Sequence, residues 1–509
     1  MSRINTNVQS LVAQRVLGRN NYSLGVALER LSTGLKINRG KDDPAGLIAS
    51  ENLRSEQKAL DQAVANAERA DQVVNIAEGG LQEVSSLLTE LQTLVTASAS
   101  GAGLSTEEKE ANQSQIDSIL QTIDRIAGAT NFQGIKLLNG NLDFKTSGVN
   151  SSNVTDFKVN GAKFTGASLA VNVSVTQSAQ QAGLFMSMGA AQLNLSAATA
   201  QLVMEIGGPK GSRQFSFAQS ASLNTIRDSI NQFTDVTGLT ATVSGTGIRL
   251  ISSEFGSDEF VSVKVSNAGG LATASSGIYN LNATNTAAAG AQAAEFNAAT
   301  TGVRDAGQNV AGTINGIVAS AKGKNLKLNT DFLDVELTLG TTQSQTRGNV
   351  NGAGGAGTAA FSITGGGAEF QLSSKVDISG KVGLGIQDIS ARKLGNAATG
   401  MLDSLGRGKA NDIVSGSLSN AQKVVGEAIK QVSSLRGRLG AFQKNVVGAT
   451  IRSLGINIEN TAAAQSIIRD ADFASETASL TRSQILVSSA TNILSLANSA
   501  PQSALQLLG

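Results

Sequence analysis

The chain has 509 residues, 40 Lys plus Arg against 39 Asp plus Glu, 56 Gly, 4% aromatics, and no His, Cys or Trp. Near-neutral charge without a basic stripe argues against nucleic-acid binding. Without Cys or His there is no disulfide, no thiolate or H-E-x-x-H zinc site and no Ser-His-Asp triad, so only carboxylate catalysis stays open in principle. The first residues, MSRINTNVQSLVAQ, lack the continuous apolar core and cleavage site of a secretory signal. No stretch is apolar for long enough to span a bilayer. Length predicts several domains, with thin bundles of Ala, Val, Leu and Ile rather than one large interior.

From the N-terminus, Ile4, Val8, Leu11, Leu17, Leu24, Leu28, Leu31 and Leu35 mark one face of a helix over 1–37, interrupted by Gly18, Gly25 and Gly34. Each glycine costs up to about 1 kcal/mol against Ala, so this helix depends on packing for its order. NRGKDDPAG (38–46) is a breaker-rich linker in which Asp42-Asp43 reads as a cap and turn, not a metal or acid–base pair. A long helix follows to Ser98, with a stripe through Leu60, Val64, Ala67, Val74, Ala77, Leu81, Val84, Leu88, Leu91 and Val95. A third begins after Ser105, with Glu108 at the capping-box position and Ile116, Ile119, Ile123 and Ile126 on its apolar face.

Beyond Gly128 the period moves towards two. TNFQGIKLLNG (130–140) is hairpin-like, and residues 141–175 alternate as strands do. Residues 202–265 trace a β-β-α-β-β module, whereas 266–325 are Ala/Gly/Asn/Thr-rich and poorly patterned. Strands return at 332–339, 361–364 and 368–372 around the Gly-rich NVNGAGGAG (349–357). No Gly-Lys-Ser/Thr follows that segment, so it is a surface loop rather than a phosphate cradle. The N-x-S/T triplets at Asn150, Asn153, Asn172, Asn194 and Asn282 carry little weight in so Asn/Ser/Thr-rich a chain.

Helical character resumes near Ser390. Val414, Leu418, Ala421, Val425, Ala428, Val432, Leu435, Leu439, Phe442 and Val446 alternate in steps of four and three, predicting a helix to about Gly448. Another begins near Ala462, with a face at Leu486, Ala490, Ile493, Ala497, Ala504 and Leu508. Such narrow stripes want partner helices. The chain ends are therefore expected to pair, with the middle as an excursion. The outermost helices, 1–37 and 462–509, would leave apolar stripes bare on an isolated molecule, which favours order acquired on assembly. The expected fold class is a mostly α core of long antiparallel coiled-coil-like helices from both ends, with a β-rich, α+β variable central insert.

Seven segments carry a family resemblance: INTN (4–7), ERLSTGLKINRGKDDPAGL (29–47), AEGGLQEV (77–84), TNFQGIKLLNG (130–140), SLRGRLGAFQ (434–443), IRDADFA (468–474) and ANSAPQSALQLLG (497–509). Together they resemble the two terminal regions of bacterial flagellins, and 202–265 resembles a module inserted in many flagellins and hook-associated proteins. The resemblance implies five domains: an inner-core helix and linker (1–45), outer-core helices and the start of a hairpin (46–145), a variable outward region (146–399), a C-terminal outer-core helix (400–455) and a C-terminal inner-core helix (456–509).

It also implies a structural, non-enzymatic subunit that polymerises into the filament of the bacterial flagellum for swimming motility. The alternative within the superfamily is the hook–filament junction protein. An enzyme displayed on the same scaffold would lack the histidines of zinc chemistry, and a free adhesin would give no reason for unpaired terminal helices. Implied partners are copies of the chain itself, an export chaperone, the type III export apparatus, and hook-associated and filament cap proteins. No cofactor, metal, nucleic acid or membrane insertion is expected, and the location is extracellular.

Self-assembly is expected through Ile4, Val8, Leu11, Leu28, Leu31, Leu35, Ile493, Leu505 and Leu508. The rod-layer core is expected at Leu81, Val84, Leu88, Leu91, Val425, Val432, Leu435, Leu439 and Phe442. The hairpin after Thr130 is the candidate supercoil switch, which needs two nearly equal packings. One departure stands out. Many flagellins carry a Gln-Arg pair on the long helix and a Glu on the next, contacting the vertebrate Toll-like receptor for flagellin; Thr89, Glu90 and Gln115 stand at those positions here.

Overall fold

The computed structural model describes residues 6–100, 103–164, 166–271, 276–282, 285, 288–355, 357–396 and 399–506, with side chains for all but 288–291 and 500–506. The helices are α1 (Val8–Thr33), α2 (Pro44–Ser98), α3 (Thr106–Ala129), α4 (Leu223–Asn231), α5 (Thr234–Thr237), α6 (Thr341–Gln345), α7 (Leu418–Ala441), α8 (Gly448–Arg469) and α9 (Phe473–Gln506). A π-helical turn, Phe442–Val447, joins α7 to α8. The chain forms two compact units. One comprises 1–72, 371–380 and 441–509; the other comprises 73–370 and 381–440.

In the first unit, α1 is capped by Asn7, whose side chain accepts the Ser10 N–H at 3.0 Å, and ends at Gly34 in the left-handed region. The expected linker is a built turn. Asp42 Oδ2 accepts the Arg39 and Asn38 N–H groups at 2.9 and 3.2 Å, and these bonds, Arg39's first, hold its carboxyl below the usual range. Asp43 Oδ1 accepts the Gly46 N–H at 2.9 Å, and Pro44 opens α2 where its missing N–H costs nothing. The Lys36 N–H donates to Arg469 O at 2.7 Å and the Ala471 N–H to Gly34 O at 2.9 Å. The end of α1 is thereby tied to the joint between α8 and α9.

That joint corrects the expected C-terminal boundaries. Helix runs from Leu418 to Arg469 without the stop foreseen near Gly448 or the restart near Ala462. The break falls instead at Asp470–Asp472, where Asp472 caps α9 by accepting the Ala474 N–H at 2.9 Å. Gly448 does not end a helix because no αL residue or proline accompanies it; its N–H donates to Gln443 O. Val414 lies before α7 and is exposed.

The stripe of α2 is more regular than its large residues suggest. Buried positions run Leu60, Ala63, Ala67, Ala70, Val74, Ala77, Leu81, Val84, Leu88, Leu91, Val95, in unbroken steps of three and four. Ala63 and Ala70 complete it, while Val64 sits half-buried beside it.

In the second unit, α3 carries the expected capping box: Ser105 Oγ accepts the Glu108 N–H at 3.2 Å, and Glu108 accepts the Ser105 N–H at 2.8 Å. Its buried face is Ile116, Ile119, Ile123 and Ala127, with Ile126 only half-buried. The hairpin Asn131–Phe132 with Ile135–Lys136 follows. A Cβ on Gly80 of α2 would lie 2.8 Å from Leu138 Cδ1 and Thr130 Oγ1, so the second glycine of AEGGLQEV is needed for this segment to lie against the helix. Gly79 faces open space.

The β-rich part has two cores. Around Leu184, Met186, Met204, Ile206, Ile226, Leu250 and Val263 lie a five-stranded and a four-stranded antiparallel sheet. The first runs Leu239–Ser244, Gly247–Ser252, Gly183–Met188, Ser276–Leu281, Ala288–Ala294. The second runs Val303–Ala306, Phe260–Asn267, Gln201–Gly208, Gly211–Ala218. The module expected at 202–265 is therefore not self-contained: its strands divide between two sheets, each completed by strands outside that range. The edge of Leu239–Ser244 is closed by Asn231, whose side chain accepts the Ala241 N–H at 2.7 Å and donates to Ala241 O at 3.0 Å.

The second core gathers Val159, Val171, Val173, Leu326, Val335, Leu337, Phe361 and Ile363. Here the poorly patterned 266–325 proves strand-bearing, with Ala311–Ile314, Ile317–Val318, Ser320–Lys322 and Asn325–Asn329. Asn315-Gly316, both at positive φ (50° and 81°), make a two-residue hairpin between Ile314 and Ile317.

Ahead of α7, Gln113 of α3 is fully buried, donating to Leu405 O at 2.8 Å and accepting the Ile413 N–H at 3.0 Å. Asp412 organises the same loop, accepting N–H groups from Gly408, Ser415 and Gly416 and the Ser415 hydroxyl.

Candidate assembly surfaces

α1 and α9 form an antiparallel pair whose seam differs from the face expected on α1. The residues turned inward are Ser10, Ala13, Leu17, Asn20, Leu24, Ala27 and Leu31, in steps of three and four. On α9 the matching series is Glu476, Leu480, Ser483, Val487, Ala490, Leu494 and Ala497. Small side chains at Ser10, Ala13, Ala27, Ser483, Ala490 and Ala497 are the ones that become buried. Polar contacts fix the register: Asn7 Nδ2 to Ala497 O at 2.7 Å, Ser10 Oγ to Asn498 Oδ1 at 2.7 Å, Asn20 Nδ2 to Leu486 O at 3.2 Å, and the Arg30–Glu476 ion pair at 3.1 Å.

A seam of small residues leaves the larger ones outside. Val8 is 58% exposed, Leu11 59%, Leu28 48% and Ile493 59%, and they are joined by Val12, Val16, Ile485, Leu486 and Leu496. Leu31 and Leu35 are half-buried. Ile4 and Leu508 lie outside the described residues, and Leu505 lies in α9 where side chains are not described. Between the helices, Val8, Val12, Val16, Ala490, Ile493 and Leu496 line an open apolar groove of about 630 Å³. Fully burying one such side chain stabilises by roughly 1.5–3 kcal/mol, so several together form a strong adhesive face.

The second stripe behaves in the opposite way. Leu81, Val84, Leu88, Leu91, Val425, Val432, Leu435, Leu439 and Phe442 are all buried within the chain. Arg436 pairs with Glu78 at 2.8 Å beside them. These residues build the subunit and leave nothing for a neighbour.

Thr89 and Glu90 are exposed on α2, Thr89 bonding only back to Ser85 O at 3.0 Å. Glu90 and Gln115 share a shallow depression with Ser114, Ser118 and Ile119, so α2 and α3 bring two of the three positions together.

Among the described residues no three His, Cys, Asp or Glu gather as a metal site, and no helix is long and apolar enough to cross a membrane.

Family models match at both ends: the bacterial flagellin N-terminal helical region over residues 4–143 and the C-terminal helical region over 422–508. Among curated proteins, the flagellin of Salmonella rubislaw is 28% identical, covering 99% of each chain. Flagellin B of Vibrio anguillarum and flagellin A of Helicobacter pylori are each 26% identical, again over 99% of each chain. A solved structure of FliC from Burkholderia pseudomallei matches 74% of this chain and 99% of that one at 14% identity, with a TM-score of 0.22 that carries no argument. With both terminal helical regions in place and flagellins aligned along its whole length, this chain belongs to the bacterial flagellins.

Proposed function

We propose that the chain is a structural subunit of the flagellar filament, and that its outward α1/α9 face is the surface through which copies join. The observation that carries the second half is the apolar groove of Val8, Val12, Val16, Ile493 and Leu496, bare in the single chain. A head-to-tail contact that does not close generates an open helix rather than a ring. Thin terminal helices gain their full order only against neighbours, which keeps the unassembled chain soluble. The junction-protein alternative is not favoured, since full-length flagellins are the relatives that span the chain.

On this reading the inner layer comprises 1–45 and 456–509, and the outer layer 46–145 and 400–455. The β-rich region 146–399 is displayed on the filament surface. An export chaperone, the type III apparatus, and hook-associated and cap proteins handle the chain on its way outside the cell. Electron microscopy of purified protein added to filament fragments tests the reading: uniform elongation supports it, whereas capping of the fragments would support the junction role. Removing residues 480–509 should abolish elongation while leaving the β-rich cores folded. Normal filaments from that truncation would refute the role of the helix ends.

A further inference from the structure

Between α7 and α8 the buried series breaks its own rule. In sequence the stripe continues from Phe442 to Val446, four residues on, yet Val447 is buried (1% exposed) and Val446 is half-buried. The π turn is the cause. The Gly448 N–H reaches back five residues to Gln443 O, which absorbs one surplus residue and moves the seam on by one position.

We propose that this π turn is a sliding register element with two seats one helical turn apart. In the described seat the seam steps five residues from Phe442 to Val447, four to Ile451, three to Leu454 and four to Ile458. In the other it steps four to Val446 and five to Ile451, then continues unchanged. Both seats start and finish on the same residues and contain one π turn. The only seam exchange is valine for valine, so the buried apolar area is nearly equal in the two. No charged group enters or leaves the seam. The second seat would span Val446–Ile451 and include Gly448, whose missing Cβ eases the irregular turn. Two packings of nearly equal free energy, interconverted without moving the helix ends, are the minimum for a bistable element. Its use inside a filament rests on the function proposed above; its existence does not.

The test reads register in the unassembled chain, which has no cysteine of its own. On α2, Asp71 accepts from Gln443 at 3.1 Å, and Ala63 packs in one cluster with Leu454. The fully buried Ala67 lies at the step between them. Three reporters are compared for disulfide closure: A67C/V447C, A67C/V446C and A67C/N445C, the last using an exposed position off the seam in both seats. Closure should be fastest for Val447→Cys, with Val446→Cys within about ten-fold of it and well ahead of Asn445→Cys. Closure at Val446→Cys no faster than at Asn445→Cys overturns the proposal. Deleting Val447 gives an independent check, because it restores unbroken steps of four from Phe442 to Val446 and on to Ile451. That deletion should keep the wild-type Tm, while deleting Lys430 from α7 lowers it. Equal losses from the two deletions would show that no surplus residue is stored there.

Discussion

Asn20 of α1 donates its side-chain amide to the backbone carbonyl of Leu486 on α9, at 3.2 Å, from a seam position otherwise held by small and aliphatic residues. A single amide in a coiled-coil seam fixes register at a cost in stability. Asn20→Leu should therefore raise the thermal stability of the α1–α9 pair by about 1 kcal/mol. It should also allow the helices to slip, so that seeded elongation gives irregular or stalled filaments. Circular dichroism melting and electron microscopy check the two halves; higher stability with normal filaments would remove Asn20 from the register role.

Two buried carboxylates should respond to pH in opposite directions. Burial pushes Asp412 up, but the hydrogen bonds from Ser415, Gly408 and Gly416 outweigh it and hold its carboxyl below the usual range. Its stabilisation is present above the unfolded pKa of about 3.9 and is lost as pH falls through the lower folded value. Asp412→Ala should cost about 3 kcal/mol at pH 7, since it strands several buried donors. Asp143 is raised, first by desolvation, against the Phe144 N–H at 2.8 Å and the field of Arg438. Charging it opposes folding as pH rises, so Asp143→Asn, which keeps the acceptor, should melt higher than wild type at pH 7. That advantage should vanish below about pH 3.9. Melting curves at pH 7 and pH 3 decide both cases.

The adjacent glycines of α2 should behave differently. Alanine at either position gains up to about 1 kcal/mol of helix propensity. Only at Gly80 does the new methyl meet Leu138 and Thr130 at 2.8 Å. Gly79→Ala should be neutral or stabilising, and Gly80→Ala should fall below it by about 1–3 kcal/mol. Equal denaturation midpoints would show that the hairpin segment yields freely.

At the receptor-contact positions, Glu90 is an exposed carboxylate where the family pattern carries Arg, so the charge offered to the receptor is reversed. Purified monomer should activate the vertebrate flagellin receptor weakly, and Thr89→Gln with Glu90→Arg should strengthen it by an order of magnitude or about 1.4 kcal/mol. A reporter-cell assay matching a strong activator before mutation would sink this expectation.

What the sequence made legible was periodicity carried by large side chains. The stripes through Leu81–Leu91 and Val425–Leu439 stand out because leucine and valine mark them, and Ser105 with Glu108 announces its cap by chemistry. What escaped notice was carried by small residues. Ala63 and Ala70 regularise the α2 seam, and Ser10, Ala13 and Ala27 rather than Val8 and Leu11 face α9. A helix with two candidate faces puts the larger side chains outside when close approach is worth more within the chain. Between 266 and 325, alanine and glycine hide the alternation of strands, although Asn315-Gly316 was a readable hairpin signal. The step from Phe442 to Val447 could not follow from a heptad count, because an i→i+5 turn violates the premise of the count.

Asn231 has a consequence beyond its own sheet. A filament holds its subunits at a crowding no free protein meets, and any open strand on their surface would find the same strand next door. By occupying both backbone groups of Ala241, one amide side chain withholds the template from which sideways, fibril-like pairing would start. Order along the polymer thus depends partly on a residue whose task is to make nothing happen between neighbours.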